Sequence, residues 1–158
     1  MPRAHALDRL IGEQMPSLRS AADVAALEAT ATYEERVAAQ STYEALQLGA
    51  AIAPDAPALQ FIANATSLEP AVTLSHAQFL ARVTQAGNLF HALGVGPQGV
   101  VSFLLPLLPQ YYFGLLGAQV AGIANPVNPL LSPQQLAEIL RAARTLVLVT
   151  IGPLPGTD

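Results

Sequence analysis

The chain has 158 residues, a length that suits one domain built around a single core. Charged residues make up 11% of it and apolar residues 52%, and the net charge of −4 comes without any basic run, which argues against nucleic acid as a partner. The sequence contains neither lysine nor cysteine, so amine and thiol nucleophiles, disulfides and cysteine-based metal sites are excluded within it, and a cytoplasmic location is expected.

The first 40 residues are predicted to form a leader of short helices. Three positions combine a hydroxyl residue with a carboxylate three residues later, which is the pattern of a reciprocal helix cap. These pairs are Ser20 with Asp23, Thr32 with Glu35, and Ser41 with Glu44. They predict helices near residues 21–29, 33–40 and 43–52. Met15 offers a second start, and residues 1–14 lack the apolar centre of a signal peptide, so we give them no functional weight.

Two short strands and a long helix are predicted next. Residues 57–63 and 70–75 have the composition of strands and are joined by a polar loop at 64–69. A capping pair, Ser75 with Gln78, opens the helix, and Gly94 closes it as a C-cap. The apolar stripe of this helix follows spacings of four and three residues: Phe79, Val83, Ala86, Phe90 and Leu93.

The chain then alternates strands and helices. Residues 100–106 form a continuous apolar run, typical of a parallel strand that is buried on both faces. Pro109 is placed to open a helix that runs to Ala121, because proline is tolerated in a first helical turn. A short extended segment is predicted at residues 123–128.

A last helix and a last strand complete the pattern. Ser132, Pro133 and Gln135 combine an N-cap, a proline at the first helical position and a capping glutamine. The apolar positions of this helix are Leu136, Ile139, Leu140 and Ala143. Residues 145–150 form a strand. The order of elements predicts an α/β fold, a partial parallel sheet with flanking helices that is preceded by the short helices.

Residues 100–131 contain no charged side chain, which raises the alternative of a membrane span. A spanning helix needs about 20 uninterrupted residues, and here prolines and asparagines break the run into shorter pieces. The breaking residues are Pro106, Pro109, Gln110, Asn125, Pro126, Asn128 and Pro129. We therefore expect no transmembrane segment. We expect instead that the strand at 100–106 is covered, and that apolar surface shows wherever this chain cannot cover its sheet.

Residues Gly94–Gly99 match the glycine pattern G-x-G-x-x-G of dinucleotide-binding folds. That fingerprint requires a strand before the glycines and a helix after them, so that the phosphates meet a helix N-terminus. Here a helix ends at Gly94 and a strand begins near Gly99. Pro97 also removes an amide donor. The segment is therefore predicted to be a helix-to-strand turn. A nucleotide-binding module built on this segment is the weakest of three hypotheses for the function of the chain.

The histidines do not indicate a metal or catalytic site. His5 lies in the leader, His76 in the first turn of a helix, and His91 in a last turn. None has a carboxylate or a second histidine at metal-ligand spacing. Tyr111 and Tyr112 are expected to divide between core and surface. The residues by themselves identify no catalytic residue, no cofactor-binding residue and no metal ligand.

Three stretches together resemble a known family. They are PDAPAL (54–59), VTLSHAQFLARVTQAGNLFHALGVGPQGVVSFLLP (72–106) and AGIANPVNPLLSPQQLAEILRAARTLVLV (121–149). In order and spacing they resemble the amino-terminal region of AMP-forming acyl-CoA synthetases, members of the adenylate-forming superfamily. Gln98-Gly99 stands where the family commonly has Gly-Asp. The resemblance implies an incomplete α/β amino-terminal subdomain over residues 41–158, after the leader at 1–40.

The resemblance also implies a function for the complete enzyme, which would activate a fatty or other carboxylic acid with ATP and Mg and transfer the acyl group to CoA. The family's phosphate loop, ribose-binding aspartate and catalytic lysine find no match before Asp158. We therefore expect this chain alone to bind none of these cofactors and to be inactive. The alternative hypothesis is a non-catalytic module that uses exposed apolar surface to associate with itself or with a separately encoded remainder.

Overall fold

The computed structural model describes residues 19–37, 39–63 and 71–152. The described residues before position 53 contain three helices: α1 (Ala21–Glu28), α2 (Tyr33–Arg36) and α3 (Thr42–Ile52). The capping pairs predicted for α1 and α2 are present. In each pair the hydroxyl accepts a hydrogen bond from the backbone amide of the acidic residue, and the carboxylate accepts one from the backbone amide of the capping residue. Ser41 caps α3 through the Glu44 amide, while the Glu44 carboxylate accepts from the Gln40 amide at 2.7 Å.

The second predicted helix, at 33–40, is wrong in length. α2 is a single turn, and the backbone of Val37 is already extended, with φ −108° and ψ 95°. One turn gains little hydrogen bonding for the residues it orders, so it needs a packed face to grow longer. α3 has such support, because the Tyr43 hydroxyl lies 2.7 Å from that of Thr84 on the long helix that follows.

Strands β1 (Pro57–Phe61) and β2 (Val72–Ser75) form an antiparallel pair, with Phe61 opposite Val72. Both are shorter than the predicted strands at 57–63 and 70–75. The predicted loop at 64–69 lies outside the described residues. The pair forms a small two-stranded sheet of its own, which leads directly into the long helix at Ser75.

Helix α4 (His76–Ala92) begins with the predicted cap, in which Ser75 and Gln78 bond reciprocally. Its end is a Schellman motif, because the Val95 amide donates to the Phe90 carbonyl and the Gly94 amide to the His91 carbonyl, both at 3.0 Å. Gly94 has φ +84°, so the predicted C-cap is confirmed and requires glycine.

The predicted apolar stripe of α4 is correct except at its end. Phe79, Val83 and Phe90 are buried, whereas Leu93 is 53% exposed. The helix ends at Ala92, and Leu93 takes the capping position, where its side chain no longer follows the helical stripe. Gly87, which does not belong to the predicted stripe, is also buried.

The remaining elements follow the predicted alternation. They are β3 (Val100–Leu104), α5 (Pro109–Ala121), β4 (Ile123–Pro126), α6 (Pro133–Ala142) and β5 (Thr145–Thr150). The predicted strands at 100–106 and 123–128 are each longer than the observed ones. Pro109 opens α5 as its first residue, and Ser132 with Gln135 caps α6 reciprocally.

The three later strands form a parallel sheet in the order β4-β3-β5. β3 is central: Ser102 pairs with Asn125 on β4 and with Leu148 on β5. The register between β3 and β5 shifts once, between Val100 and Val101, so that an extra residue of β5 bulges at its amino end. The predicted parallel sheet is therefore confirmed, with a strand order that the sequence did not indicate.

One face of this sheet, the covered face, carries the core. Val101 and Phe103 are fully buried there beneath α4 and α5. The Phe103 ring meets those of Phe90 and Tyr111 edge to face, with centroids 6.2 Å apart in each pair. Aromatic pairs in this geometry stabilise a core beyond the area that they bury.

Helices α4 and α5 approach each other closely through glycine. A Cβ atom added at Gly117 would lie 2.5 Å from the Cβ of Ala86 and 2.8 Å from the backbone nitrogen of Gly87. A side chain at Gly117 therefore does not fit without movement of the α4 backbone, whereas a Cβ atom at Gly87 would lie 3.2 Å from the Val120 side chain. Because the two helices approach each other so closely, both can pack on the covered face of the sheet.

The opposite face of the sheet, the open face, is only partly covered. Right-handed crossovers place α5 and α6 on opposite sides, because the chain leaves β3 in one direction and crosses back past it to reach β5. α6 contacts β5, yet none of its residues is buried. Leu146 and Leu148 remain 56% and 43% exposed, and Ile123 remains 44% exposed. The apolar surface expected from the uncharged run is therefore present here.

No helix within residues 19–37, 39–63 and 71–152 is both long and apolar enough to cross a lipid bilayer. The uncharged stretch at residues 100–131 is divided among β3, α5 and β4, and Pro109 marks the start of the helix rather than its middle.

Candidate functional site

The carboxyl ends of the three parallel strands meet at one edge of the sheet, which we call the carboxyl edge. Its loops are residues 105–108 after β3, 127–132 after β4 and 151–152 after β5. The chain passes from β3 to one neighbour and then to the other, so the direction of its connections reverses around β3. In open α/β sheets such a reversal opens a crevice between adjacent strands, here β3 and β5, and ligands bind there.

The carboxyl edge is apolar and carries no charge in the described loops. Leu105 and Val127 are buried, and Leu107 is exposed. The Asn128 side chain accepts from the Leu130 amide at 3.0 Å, which holds the turn after β4. These loops contain no basic side chain for a phosphate and no carboxylate for Mg. A charged side chain at this edge would therefore have to come from outside these loops.

A row of hydrogen-bonded side chains crosses the sheet below this edge. Ser102 is fully buried on β3. The Asn125 side-chain amide donates to its hydroxyl at 2.9 Å, and the Thr145 hydroxyl lies 2.7 Å away on the other side. All three strands are thus joined through one oxygen atom. Because each group is satisfied, the row stabilises the strand register, and it leaves no free group for chemistry.

The glycine-rich segment lies where the sequence placed it, between the end of α4 and the start of β3. The Gly99 amide donates to the Gly96 carbonyl at 2.7 Å and closes a tight turn. Val95, which precedes this turn, is buried. The element that begins directly after Gly99 is a strand, β3, and not a helix. The prediction of a helix-to-strand turn is confirmed.

The histidines and tyrosines take structural positions. His91 Nδ1 lies 3.2 Å from the Val95 carbonyl, next to the helix cap. The His76 ring packs beside Gly49, where an added Cβ atom would lie 3.4 Å from His76 Nδ1. Tyr111 packs on Phe103 in the core, and Tyr112 packs on Tyr111. His5 lies outside the described residues. No group of three or more His, Asp or Glu residues within the described part of the chain could hold a metal ion.

A groove of about 750 Å³ lies between the β1–β2 pair, the middle of α4 and the start of α5. Its walls are mostly apolar, with Phe61, Leu89 and Phe113 among them. Arg82 is the charged side chain in its lining, and its guanidinium donates to the Gln85 side chain at 3.1 Å. Sequence patterns had not indicated this groove, because its walls come from four elements that only folding brings together.

The cap of α1 is part of neither the carboxyl edge nor the groove. There the backbone amide of Arg19, with the hydroxyl and amide of Ser20, holds the pKa of the Asp23 carboxyl below its ordinary value. This is the effect of a helix cap.

Comparison with protein families gives a match to the AMP-binding enzyme family over residues 46–158, more than half of the chain. The observed fold agrees with that match, since the segment contains all five strands.

Several similar proteins are named as CoA ligases. The marinolic acid–CoA ligase of Pseudoalteromonas sp. is 35% identical over 119 residues, covering 75% of this chain and 18% of that protein. The 4-coumarate–CoA ligase 1 of Arabidopsis thaliana is 34% identical over 77 residues, covering 44% of this chain and 14% of that protein. The chain spans less than a fifth of the length of these relatives.

Solved structures share the fold. A fatty acyl CoA synthetase from Mycobacterium tuberculosis superposes with a TM-score of 0.56 at 23% identity, covering 65% of this chain and 20% of that one. O-succinylbenzoate coenzyme A synthetase from Bacillus subtilis gives 0.60 at 18% identity, covering 72% and 28%. Family match, relatives and fold agree with the resemblance found in the sequence, and the chain belongs to the AMP-binding enzyme family.

Proposed function

We propose that this chain forms the amino-terminal part of an AMP-forming carboxylic acid–CoA ligase. The complete enzyme would activate an acid with ATP and Mg to an acyl-adenylate and pass the acyl group to CoA. Support comes from the family match and from relatives that are named as CoA ligases, among them marinolic acid–CoA ligase and 4-coumarate–CoA ligase 1. A fatty acid is the proposed substrate class, as the motif resemblance implies, and the cytoplasm is the proposed location.

In this proposal the parallel sheet is the supporting platform of the ligase. Residues 41–158 would form an incomplete α/β subdomain, and residues 1–40 a helical leader. The crevice between β3 and β5 at the carboxyl edge would become one wall of a ligand site. The second wall would come from residues beyond those that the structure describes.

We further propose that the 158-residue chain alone does not form acyl-adenylates. The observation that carries this proposal is the uncharged carboxyl edge. Adenylate formation develops negative charge on phosphate oxygens, and enzymes stabilise that charge with cations and directed donors. The sequence has no lysine at all, and the arginines of the described later part, Arg82, Arg141 and Arg144, lie on helices or next to them, outside the carboxyl edge.

A chimaera tests the ligase role. The 119-residue span of marinolic acid–CoA ligase that aligns with this chain is replaced by the corresponding residues of this chain. We expect the chimaera to form marinoyl-CoA, because the platform would be equivalent in both proteins. The intact ligase is the positive control and the ligase without the span the negative control. A chimaera with native circular dichroism and no ligase activity would contradict the proposal.

The inactivity of the chain alone is tested separately. Purified 158-residue protein is incubated with ATP, Mg and a panel of fatty acids, and pyrophosphate release is measured. We expect no release above that of a mock purification. ATP-dependent release that follows the protein peak through a sizing column would show that the chain carries catalytic groups of its own.

The open face of the sheet favours a second candidate function, a non-catalytic interaction module. Leu146 and Leu148 lie on it with about half of their surface exposed, although parallel sheets are normally covered on both faces. A separately encoded remainder of the ligase is one partner that such a face would accept. A monodisperse monomer that binds little hydrophobic dye would count against this role.

A further inference from the structure

The groove beside Arg82 has the size and the lining of a small-molecule site. Its volume of about 750 Å³ falls within the range of about 300–1,000 Å³ that is usual for ligand pockets. All of its lining residues lie between positions 61 and 113, so the groove is formed by the interior of the sequence and by neither end. Ligand pockets are typically apolar and contain a few polar groups that fix the orientation of the ligand.

Helix α4 forms one wall of the groove over two helical turns. Arg82, Ala86 and Leu89 line the groove and are spaced by four and three residues, so they lie on one face of the helix. Arg82 and Leu89 are therefore about 10 Å apart along the helix axis. A charged side chain lies at one end of this wall and an apolar side chain at the other, so a ligand that follows the wall contacts both.

Large apolar side chains of the groove are exposed to water. Leu89 on α4 is 56% exposed, and Val72 on β2 is 53% exposed. Phe61 on β1 and Phe113 on α5 extend the apolar walls. An apolar ligand body that covers these side chains gains free energy in proportion to the area that it removes from water. The walls therefore favour a ligand with an apolar body.

Arg82 gives the groove a positive charge that no lining residue balances. The lining contains no acidic side chain, and within residues 19–37, 39–63 and 71–152 Arg82 makes no ion pair. Its Nη1 donates to the Gln85 side chain at 3.1 Å, which orients the guanidinium. The edge formed by Nε and Nη2 keeps its donors for another acceptor. A carboxylate matches such an edge with two parallel hydrogen bonds.

We propose that the groove binds an amphipathic monocarboxylate. The carboxylate lies on the Arg82 guanidinium, and the apolar body follows α4 toward Leu89. Leu108 belongs both to the groove lining and to the loop after β3, so the bound acid lies beside the carboxyl edge. The proposal rests on the groove and not on the ligase role, so its failure leaves the result expected of the chimaera unchanged.

Calorimetric titration of the purified 158-residue chain tests the chemistry of the ligand. Decanoate is the probe, because its extended chain is similar in length to the wall between Arg82 and Leu89. Decanol has the apolar body alone, and acetate has the carboxylate alone. We expect decanoate to bind at least about tenfold more tightly than either compound. Decanol that binds as tightly as decanoate, or a folded chain that does not bind decanoate, would overturn the proposal.

Arg82→Gln tests the position of the carboxylate. The variant removes the charge, and its decanoate affinity should fall by about tenfold or more, because hydrogen bonds to charged groups are the stronger ones. Arg141→Gln is the matched control, since Arg141 is also an exposed helical arginine but lies outside the groove lining. Its decanoate affinity should equal that of the unchanged chain. Equal affinities of the two variants would contradict a carboxylate at Arg82.

Leu89→Asn tests the position of the apolar body, and we expect decanoate affinity to fall by about threefold or more. Leu93→Asn is its matched control, because Leu93 is 53% exposed, follows Leu89 by one helical turn and lies outside the groove lining. Circular dichroism of both variants should be unchanged, since both side chains are already exposed. If the two variants bind decanoate equally well, the apolar body lies elsewhere and the proposal is wrong.

Discussion

Both faces of the parallel sheet carry large apolar side chains, but the surroundings of these side chains are very different. On the covered face Val101 and Phe103 are fully buried beneath α4 and α5. On the open face Leu146 and Leu148 keep about half of their surface in water. The apolar strands therefore indicate that both faces of the sheet are suited to burial. The described part of the chain supplies a packed layer of helices for one of these faces. The comparison can be tested by changing one face at a time.

The largest expected effect is the loss of an aromatic ring from the covered face. Phe103→Ala removes a fully buried side chain that contacts two other rings, and we expect the free energy of unfolding to fall by about 3–5 kcal/mol. Ile123→Ala on the open face, 44% exposed, should cost less than about 1 kcal/mol. Urea denaturation measures both. Equal losses would show that the open face is as well packed as the covered one.

A smaller loss is expected from the contact that brings the covering helices together. Gly117→Ala would place a methyl group against Ala86 and the backbone of Gly87, and we expect a loss of about 2–3 kcal/mol. The clash must exceed the gain of about 1 kcal/mol that alanine brings to a helix.

The matched control for Gly117→Ala is Gly96→Ala, where an added Cβ meets nothing within 4 Å. Its unfolding free energy should change by less than about 0.5 kcal/mol. A Gly117→Ala protein as stable as this control would mean that α4 and α5 can separate without cost, and that the covered face is less rigid than its packing indicates.

The smallest of the three effects is expected for the hydroxyl that joins the strands. Ser102→Ala leaves Asn125 and Thr145 without their shared partner, and we expect a loss of about 1–2 kcal/mol. Thr150→Ala, an exposed hydroxyl on the same face, should change stability by less than about 0.5 kcal/mol. If the two variants behave alike, water replaces the Ser102 bonds and the open face is wetter than the burial of Ser102 implies.

Local signals predicted the elements well wherever a short-range rule decides the structure. The bounds of α5 and β5 agree with the sequence, and so does the glycine at the end of α4. Proline at a first turn, a hydroxyl cap and a left-handed glycine act within one turn of chain, so they are visible in the sequence. α2 was predicted too long because a cap starts a helix, whereas tertiary packing sustains it.

The candidate site was harder to predict than the fold. The described loops at the carboxyl edge contain no charged side chain that would indicate chemistry. A crevice between β3 and β5 is expected only because β3 is the central strand. The groove beside Arg82 joins residues from four elements. The family resemblance came from motif order, which carries information that single residues in this chain do not.

The sequence alone determined that this protein is an α/β structure with a parallel sheet, because apolar runs, caps and turns alternate in a pattern that other classes do not produce. It also determined the family, through the order of its motifs. Only the tertiary structure decided which strand is central, which glycines let α4 and α5 touch, and which face of the sheet remains open. Those features depend on contacts between residues far apart in the chain, and no local rule fixes such contacts.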